Sequence, residues 1–274
     1  MRHGGGCPEM QASELPGSGA LRPRLAHYRP GLRQSAHSHC APHVSIVVAG
    51  SFRETSARGE RVICQGSIGF RADAAKHSVS YGPAGALILS LETGSWIADG
   101  GGDADIYWVR ASAGIARELL DLISADSGAA EAAADRLLDI WIQSREPGDS
   151  PARRPAPAWL REAAEHLLAA PQEIAIAALA RRSGVHRVHF SRLFLRHYGM
   201  APSIFRRRAM AAQALAAALG RKANLAQAAA HGGFADQSHM ARAVRECCGM
   251  GAGAVRRLLG GEATSVQSRG AAAA

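Results

Sequence analysis

Two sets of residues in this chain have types and spacings that could do chemistry. Towards the N-terminus, His37 and His39 are separated by a single serine in a stretch that reads as a strand, so both imidazoles point to the same face. Ring nitrogens gathered on one face can ligate a transition metal or hydrogen-bond a polar organic molecule. Towards the C-terminus, helical periodicity places Arg187, Val188, Ser191, Arg192 and Arg196 on the outer side of one helix. It places Gln237, Ser238, Ala241, Arg242 and Arg245 on the outer side of another. Arginine bonds guanine, glutamine bonds adenine and serine bonds several base edges, so these side chains could read DNA directly.

The second set sits inside an internal repeat. HFSRLFLRHYGMAPSIFRR (189–207) aligns with HMARAVRECCGMGAGAVRR (239–257) at an offset of 50 residues, with six of nineteen positions identical. Each copy is predicted to be a helix ending at a glycine, Gly199 or Gly249, as a left-handed C-terminal cap requires. Upstream of each lies a short helix and a glycine-containing turn, AALARRSG (177–184) and LAQAAAHGG (225–233), which completes a helix-turn-helix. Periodicity buries Phe190, Leu193, Phe194 and His197 in the first copy, and Met240, Ala243, Val244 and Cys247 in the second. Asp236 is predicted to cap the second reading helix. Arg206, Arg207, Arg208, Arg256 and Arg257 follow these helices and suit phosphate contacts, which add affinity without sequence information. A solvated surface role is equally open to each of them.

The elements that position these residues fall into two halves. From about 21 to 110, short β-rich runs (HVSIVVAG, RVICQGSIGF, ALILSLE, IYWVR) alternate with Gly- and Pro-containing turns, the pattern of a small sandwich or barrel. Around 112–144 the apolar period becomes helical, with Ile115, Leu119, Leu122, Ile123, Leu137 and Trp141. REPGDSPARRPAP (145–157) contains four prolines and reads as a linker. Beyond it, helices are predicted to begin near Trp159, Ile174, Arg187, Pro202, Leu225, Asp236 and Gly251.

Charge divides at the same place. Residues 1–150 carry 14 Lys/Arg against 17 Asp/Glu, whereas residues 151–260 carry 17 against 5. A segment that basic either repels itself or meets an anion, and DNA is the commonest one. Cys7, Cys40, Cys64, Cys247 and Cys248 show no CxxC spacing and no even disulfide framework, which suits a reducing compartment. The opening MRHGGGCPEM lacks the apolar run of a signal peptide, and the longest apolar stretches are strand-sized. The expected location is the cytoplasm, with no membrane contact.

The string LARRSGVHRVHFSRLFLRHYGMAPSIFRRR, followed by AQAAAHGGFADQSHMARAVRECCGMGAGAVRR, resembles the DNA-binding domain of the AraC/XylS family over residues 159–260. Two motifs match in order and at the family's separation, joined by one helix (202–219). The resemblance implies that both reading helices enter successive major-groove segments on one face of DNA. It makes Val188, Ser191 and Arg192 the readers in the first motif, and Gln237, Ser238, Ala241 and Arg242 in the second. Ala252 and Val255 replace the proline and aromatic usual after the second glycine, whereas Pro202 and Phe205 keep that pattern in the first copy. Met240, His186 and Met210 also depart from the family's usual aromatic or leucine, serine and arginine. The second motif is therefore expected to be the softer one.

Residues 31–50, with Gly31, His37, His39, His43 and Gly50, resemble the first cupin motif, with His43 where the family has glutamate. Gly66 and His77 resemble the second, with Ala72, Ala74 and Tyr81 replacing its proline, glycine and asparagine. The resemblance implies a barrel that binds a metal or small ligand inside. His37, His39, His43 and His77 would then form a nitrogen-rich site for zinc, nickel, iron or copper, or a metal-free effector pocket. Cys40 and Cys64 read as buried thiols, with a soft-metal role as the alternative.

The expected fold class is α+β in two domains. Residues 1–20 form a tail, 21–144 a cupin-like β-barrel with C-terminal helices and 145–158 a linker. Residues 159–260 form an all-α domain with two helix-turn-helix motifs, and 261–274 a second tail. The expected function is a sequence-specific DNA-binding regulator, not an enzyme, controlled by a small-molecule or metal effector. A homodimer joined through 112–144 is expected, with packing of that stretch on its own barrel as the alternative, and RNA polymerase is a further partner. Two other classes compete. A cupin metalloenzyme would need an acid/base partner that the histidines lack, and an alkylation-repair protein would need clustered cysteines.

Overall fold

β4 (His43–Ser56) and β7 (His77–Glu92) are the long strands of the N-terminal half, and their composition explains their place. Every residue of β4 from His43 to Phe52 is buried, and so is β7 from Ala84 to Leu89. A strand covered on both faces reads as a continuous apolar run, whereas the first half of β7 alternates with period two. The computed structural model describes residues 10–15, 22–39, 41–72, 75–92, 106–110, 156–220 and 224–260, with isolated helical positions between 118 and 140. The linker expected at 145–158 is described only from 156. The tail at 261–274, most of 112–144 and the residues Cys7, Cys40, Ala74 and Trp141 lie outside the described residues.

The remaining strands are β1 (Met10–Glu14), β2 (Arg22–Tyr28), β3 (Arg33–His37), β5 (Gly59–Cys64), β6 (Ser67–Arg71) and β8 (Ile106–Arg110). They form one sheet in the order β1-β2-β7-β4-β6-β8, with β3 added on β7 and β5 on β4. Every pairing is antiparallel. The four β-rich runs predicted from sequence are all strands. The tail expected at 1–20 is not wholly a tail, because Met10–Glu14 pairs with β2 from Met10↔Tyr28 to Glu14↔Arg24. MQASE carries only two apolar residues, Met10 and Ala12, too weak an alternation to announce a strand. Its order comes from the backbone groups of the edge it covers.

The C-terminal half is α1 (Ala158–Ala169), α2 (Ile176–Arg182), α3 (Arg187–Tyr198), α4 (Pro202–Ala218), α5 (Leu225–His231), α6 (Gln237–Cys248) and α7 (Ala252–Gly260). The predicted helix starts fall within two residues of these. The chain is thus a sheet-rich N-terminal part followed by a helical part with two helix-turn-helix units. α2, Ser183–His186 and α3 form the first unit; α5, Gly232–Asp236 and α6 form the second, with a turn one residue longer. Gly199 and Gly249 end α3 and α6 in the left-handed conformation. Asp236 accepts a hydrogen bond from the His239 amide at 2.7 Å, the expected cap. His186 takes the equivalent place in the first unit by accepting from the Val188 amide at 3.3 Å.

The two units differ in how they are filled. The first holds an aromatic cluster of Phe190, Phe194, Tyr198 and Phe205 around Leu160 and Leu167, to which the sheet contributes Cys64. The second is filled by Met240, Ala243, Val244, Cys248 and Val255, and this cluster runs without a break into Leu25, Val44, Ile46, Leu87 and Leu89 of the sheet. α4 lies on β4 and β7, and α7 on β1 and β2. The second unit's core is built from smaller side chains than the first and is continuous with that of the sheet. Leu137, fully buried, joins the same cluster, so at least that turn of 112–144 packs on its own chain.

Candidate functional site

The residues expected to face DNA lie on the outer faces where periodicity puts them. Arg187, Val188 and Arg192 are exposed and Ser191 is half-buried on α3. Gln237, Ser238 and Arg242 are exposed and Ala241 is half-buried on α6. Val188 is 46% exposed, an apolar side chain offered to solvent on the reading face. On the opposite faces Phe190, Phe194, Met240, Ala243 and Val244 are buried as expected, but Leu193, His197 and Cys247 are only half-buried. Tyr198 and Cys248 take the place predicted for His197 and Cys247 in the last turn. Each stands four residues after a buried neighbour, Phe194 or Val244, so i, i+4 spacing was the signal.

Arg207, Arg256 and Arg257 are exposed and Arg206 is half-buried. Arg207 lies 4.0 Å from Glu246, an exposed pair of little energetic consequence. Arg208 does not join them. It lines a cleft between sheet and helices with Cys64, Gln65, Met200 and Phe205, because its place on α4 faces the sheet.

In the sheet, His37, His39, His43 and His77 are brought together from β3, the β3–β4 connection, β4 and β7. The pairing His37↔His77 sets two of them opposite each other. Ring centroids are 4.4 Å apart for His37 and His77, 5.2 Å for His39 and His77, and 4.4 Å for His39 and His43. One ring nitrogen each of His37, His39 and His77 lies within 4.8 Å of the others. His37 Nδ1–H donates to Ser35 O at 2.8 Å and His77 Nδ1–H to Ala75 O at 3.4 Å. A carbonyl can only accept, so these bonds fix the tautomer that leaves Nε2 a lone pair. That is the state in which imidazole binds a metal.

His43 is brought to the cluster but stands outside the three-ligand group. Its Nδ1–H donates to Ala41 O, and its Nε2 lies 3.3 Å from Arg71 Nη1. Arg71 is a functional candidate that the sequence reading missed. It is buried, bonds Ser45 Oγ at 2.9 Å and forms a 2.6 Å ion pair with buried Glu54. Trp108 Nε1–H donates to the other oxygen of Glu54, and the Arg71 guanidinium lies over the Trp108 ring at 5.0 Å. Gly69 has no side chain because a Cβ there would meet that ring at 2.7 Å. The one available signal was a charged residue ending an otherwise apolar strand, SIGFR.

Burial, reinforced by the nearby Arg71 charge, lowers the pKa of His39 to about 4 and of His77 to about 3, and holds His43 well below its ordinary value. Burial alone lowers that of His27, on β2, to about 4. All four are neutral near pH 7, and the lone pair of His43 is already engaged by Arg71.

Residues 161–258 match the family model described as a helix-turn-helix domain. This C-terminal part of the chain is an AraC-type helix-turn-helix domain, the DNA-binding part of a transcription regulator. No curated protein matches the chain by sequence. Among solved structures, ToxT from Vibrio cholerae is similar at 8% identity over 89% of this chain and 100% of its own, with a TM-score of 0.39. A cupin superfamily protein from Desulfitobacterium hafniense DCB-2 is 10% identical over 32% of this chain and 79% of its own, with a TM-score of 0.29. An oxalate decarboxylase from Bacillus subtilis is 22% identical over 29% of this chain and 22% of its own, with a TM-score of 0.25. Among the described residues, no helix is long and apolar enough to cross a membrane.

Proposed function

We propose that the protein is a sequence-specific DNA-binding regulator whose helical part reads DNA and whose sheet binds an effector at the histidine cluster. The observation that carries the first half is the repeated unit, with Arg192 and Arg242 exposed at equivalent positions of two helices. Binding should weaken steeply with salt, by about 10³–10⁵ between 50 and 200 mM for six to ten phosphate contacts. Arg192→Ala and Arg242→Ala should each lose about 1–3 kcal/mol at the preferred sequence, while Arg207→Ala should weaken all sequences alike. Selection of binding sites from a random duplex pool, followed by salt titration, tests both. Unchanged base preference in the two variants would show that other residues read the bases.

The effector half is supported by three imidazoles, each with a ring nitrogen within 4.8 Å of the others, two of which have Nδ1 engaged by a backbone carbonyl. His37, His39 and His77 would hold a transition metal. Bound metal would supply a positive charge that ties β3 and the connection after it to β7. Purified protein should then carry near-stoichiometric metal by elemental analysis, and its melting temperature should fall on chelation, because metal bound only by the folded state stabilises it. His39→Ala should remove both effects. Melting that chelation leaves unchanged, in protein without metal, would favour an organic effector hydrogen-bonded by the same rings. The reading is of a binding protein and not an enzyme, located in the cytoplasm. A homodimer and contact with RNA polymerase belong to it as well, and sedimentation of the DNA complex tests the dimer.

A further inference from the structure

The sheet touches each reading helix at the same end. Arg110 Nη1, from the last residue of β8, donates to Tyr198 O at 2.6 Å, and its guanidinium lies over the Tyr198 ring at 5.3 Å. Tyr198 is the last residue of α3, whose terminal carbonyls have no partner within the helix. A cation there also meets the negative end of the helix dipole. Gly199 is held at φ 68°, and a Cβ on it would lie 2.7 Å from Arg110 Cδ, so the arginine stem fills the space that this glycine leaves.

Gln65, between β5 and β6, does the same for the second helix. Its Nε2–H donates to Cys247 O at 2.8 Å, in the last turn of α6. Gln65 is buried, its Oε1 has no hydrogen-bond partner, and its amide group is directed at Cys247. The pairing Ser67↔Arg110 sets Arg110 opposite the first residue of β6, two residues from Gln65 in the turn before it, at one sheet edge.

We infer that Arg110 and Gln65 are positioning residues that brace the C-terminal ends of α3 and α6 against one sheet edge, and so set the separation between the two DNA segments these helices read. Neither residue lies on a reading face. A rigid mount fixes the offset between two helices, and helix offset fixes half-site spacing as directly as dimer geometry does in other helix-turn-helix proteins. Trp108 stands two residues before Arg110 and so on the same face of β8. The strand that carries one brace therefore also closes the Glu54–Arg71 network beside His43.

This inference rests on DNA reading by both helices, and one experiment separates the two. Full-length protein is offered duplex pools in which the two segments selected by the wild type are separated by the native distance, or by one or two base pairs more or less. Wild type should prefer one spacing by about tenfold or more, and Arg110→Ala should flatten that preference to about threefold or less, with unchanged base preference within each segment. Arg110→Lys, which keeps a charged donor, should restore most of it. Gln65→Glu, which keeps the shape but cannot donate, should behave as Arg110→Ala does. Spacing preference that survives Arg110→Ala overturns the brace. Because Arg110 is exposed, that arm decides the matter even where the buried Gln65 variant fails to fold. Failure of the wild type to select any sequence strikes instead at DNA reading itself.

Discussion

Phe194→Ala will destabilise the first helix-turn-helix unit by about 3–5 kcal/mol, the range for emptying a buried aromatic site. Phe194 is fully buried, with ring centroids 4.5 Å from Tyr198, 5.2 Å from Phe205 and 5.8 Å from Phe190. These partners come from α3 and α4, so the cavity cannot collapse without moving the reading helix. Val244→Ala, at the equivalent position of the second unit, removes less volume from a cluster that the sheet also supports, and its effect will be smaller. Denaturant unfolding monitored by tryptophan fluorescence measures both, and binding to each half of the selected DNA reports which helix is lost. Equal destabilisation by the two changes would contradict the difference in packing.

Acidification will begin to destabilise the protein above the pH range in which carboxylates titrate. His27, His39, His43 and His77 are held neutral in the folded chain, with pKa values of about 4 for His27 and His39 and about 3 for His77. In the unfolded chain each returns to about 6.5. Above pH 6.5 neither state takes up the proton, and the folded state keeps its full stability. As pH falls below 6.5 the unfolded state binds protons that the folded state refuses, so stability declines towards the folded pKa values. At about 1.4 kcal/mol per unit, His27 alone removes about 3 kcal/mol by pH 4. The cluster beside Arg71 adds to this, by less than a simple sum because its members titrate together. Unfolding curves at pH 7, 6 and 5 test the sign, and His27→Leu should reduce the slope by one proton. Stability that stays flat across that interval would mean the imidazoles are not buried as neutral groups.

The parts of this protein that the chain announces are those whose signals are local. Both reading helices follow from i, i+4 apolar spacing, a glycine just past each end and a repeat at fifty residues, and none of these needs a distant partner. The exposed faces at Arg192 and Arg242 follow from the same period. The cupin resemblance located all four histidines, but not by strand alternation at His37 and His39, because β3 ends at His37 and His39 lies in the connection that follows. It could not say which of them would share a centre. His43 is turned to Arg71 by a contact across 28 residues, and Arg71 acquires its meaning from Glu54 and Trp108 on two other strands.

Other features were settled only by tertiary structure. Met10–Glu14 is a strand because β2 leaves an open edge, not because of its own pattern. The second unit's small residues pack in one continuous cluster with the sheet, and area buried against a distant surface leaves no periodic trace. Arg110 and Gln65 meet the helix ends across 88 and 182 residues. Local sequence determines which helices form and which faces they offer. Where those faces stand relative to one another depends on long-range contacts, each requiring two segments whose proximity is a result of folding.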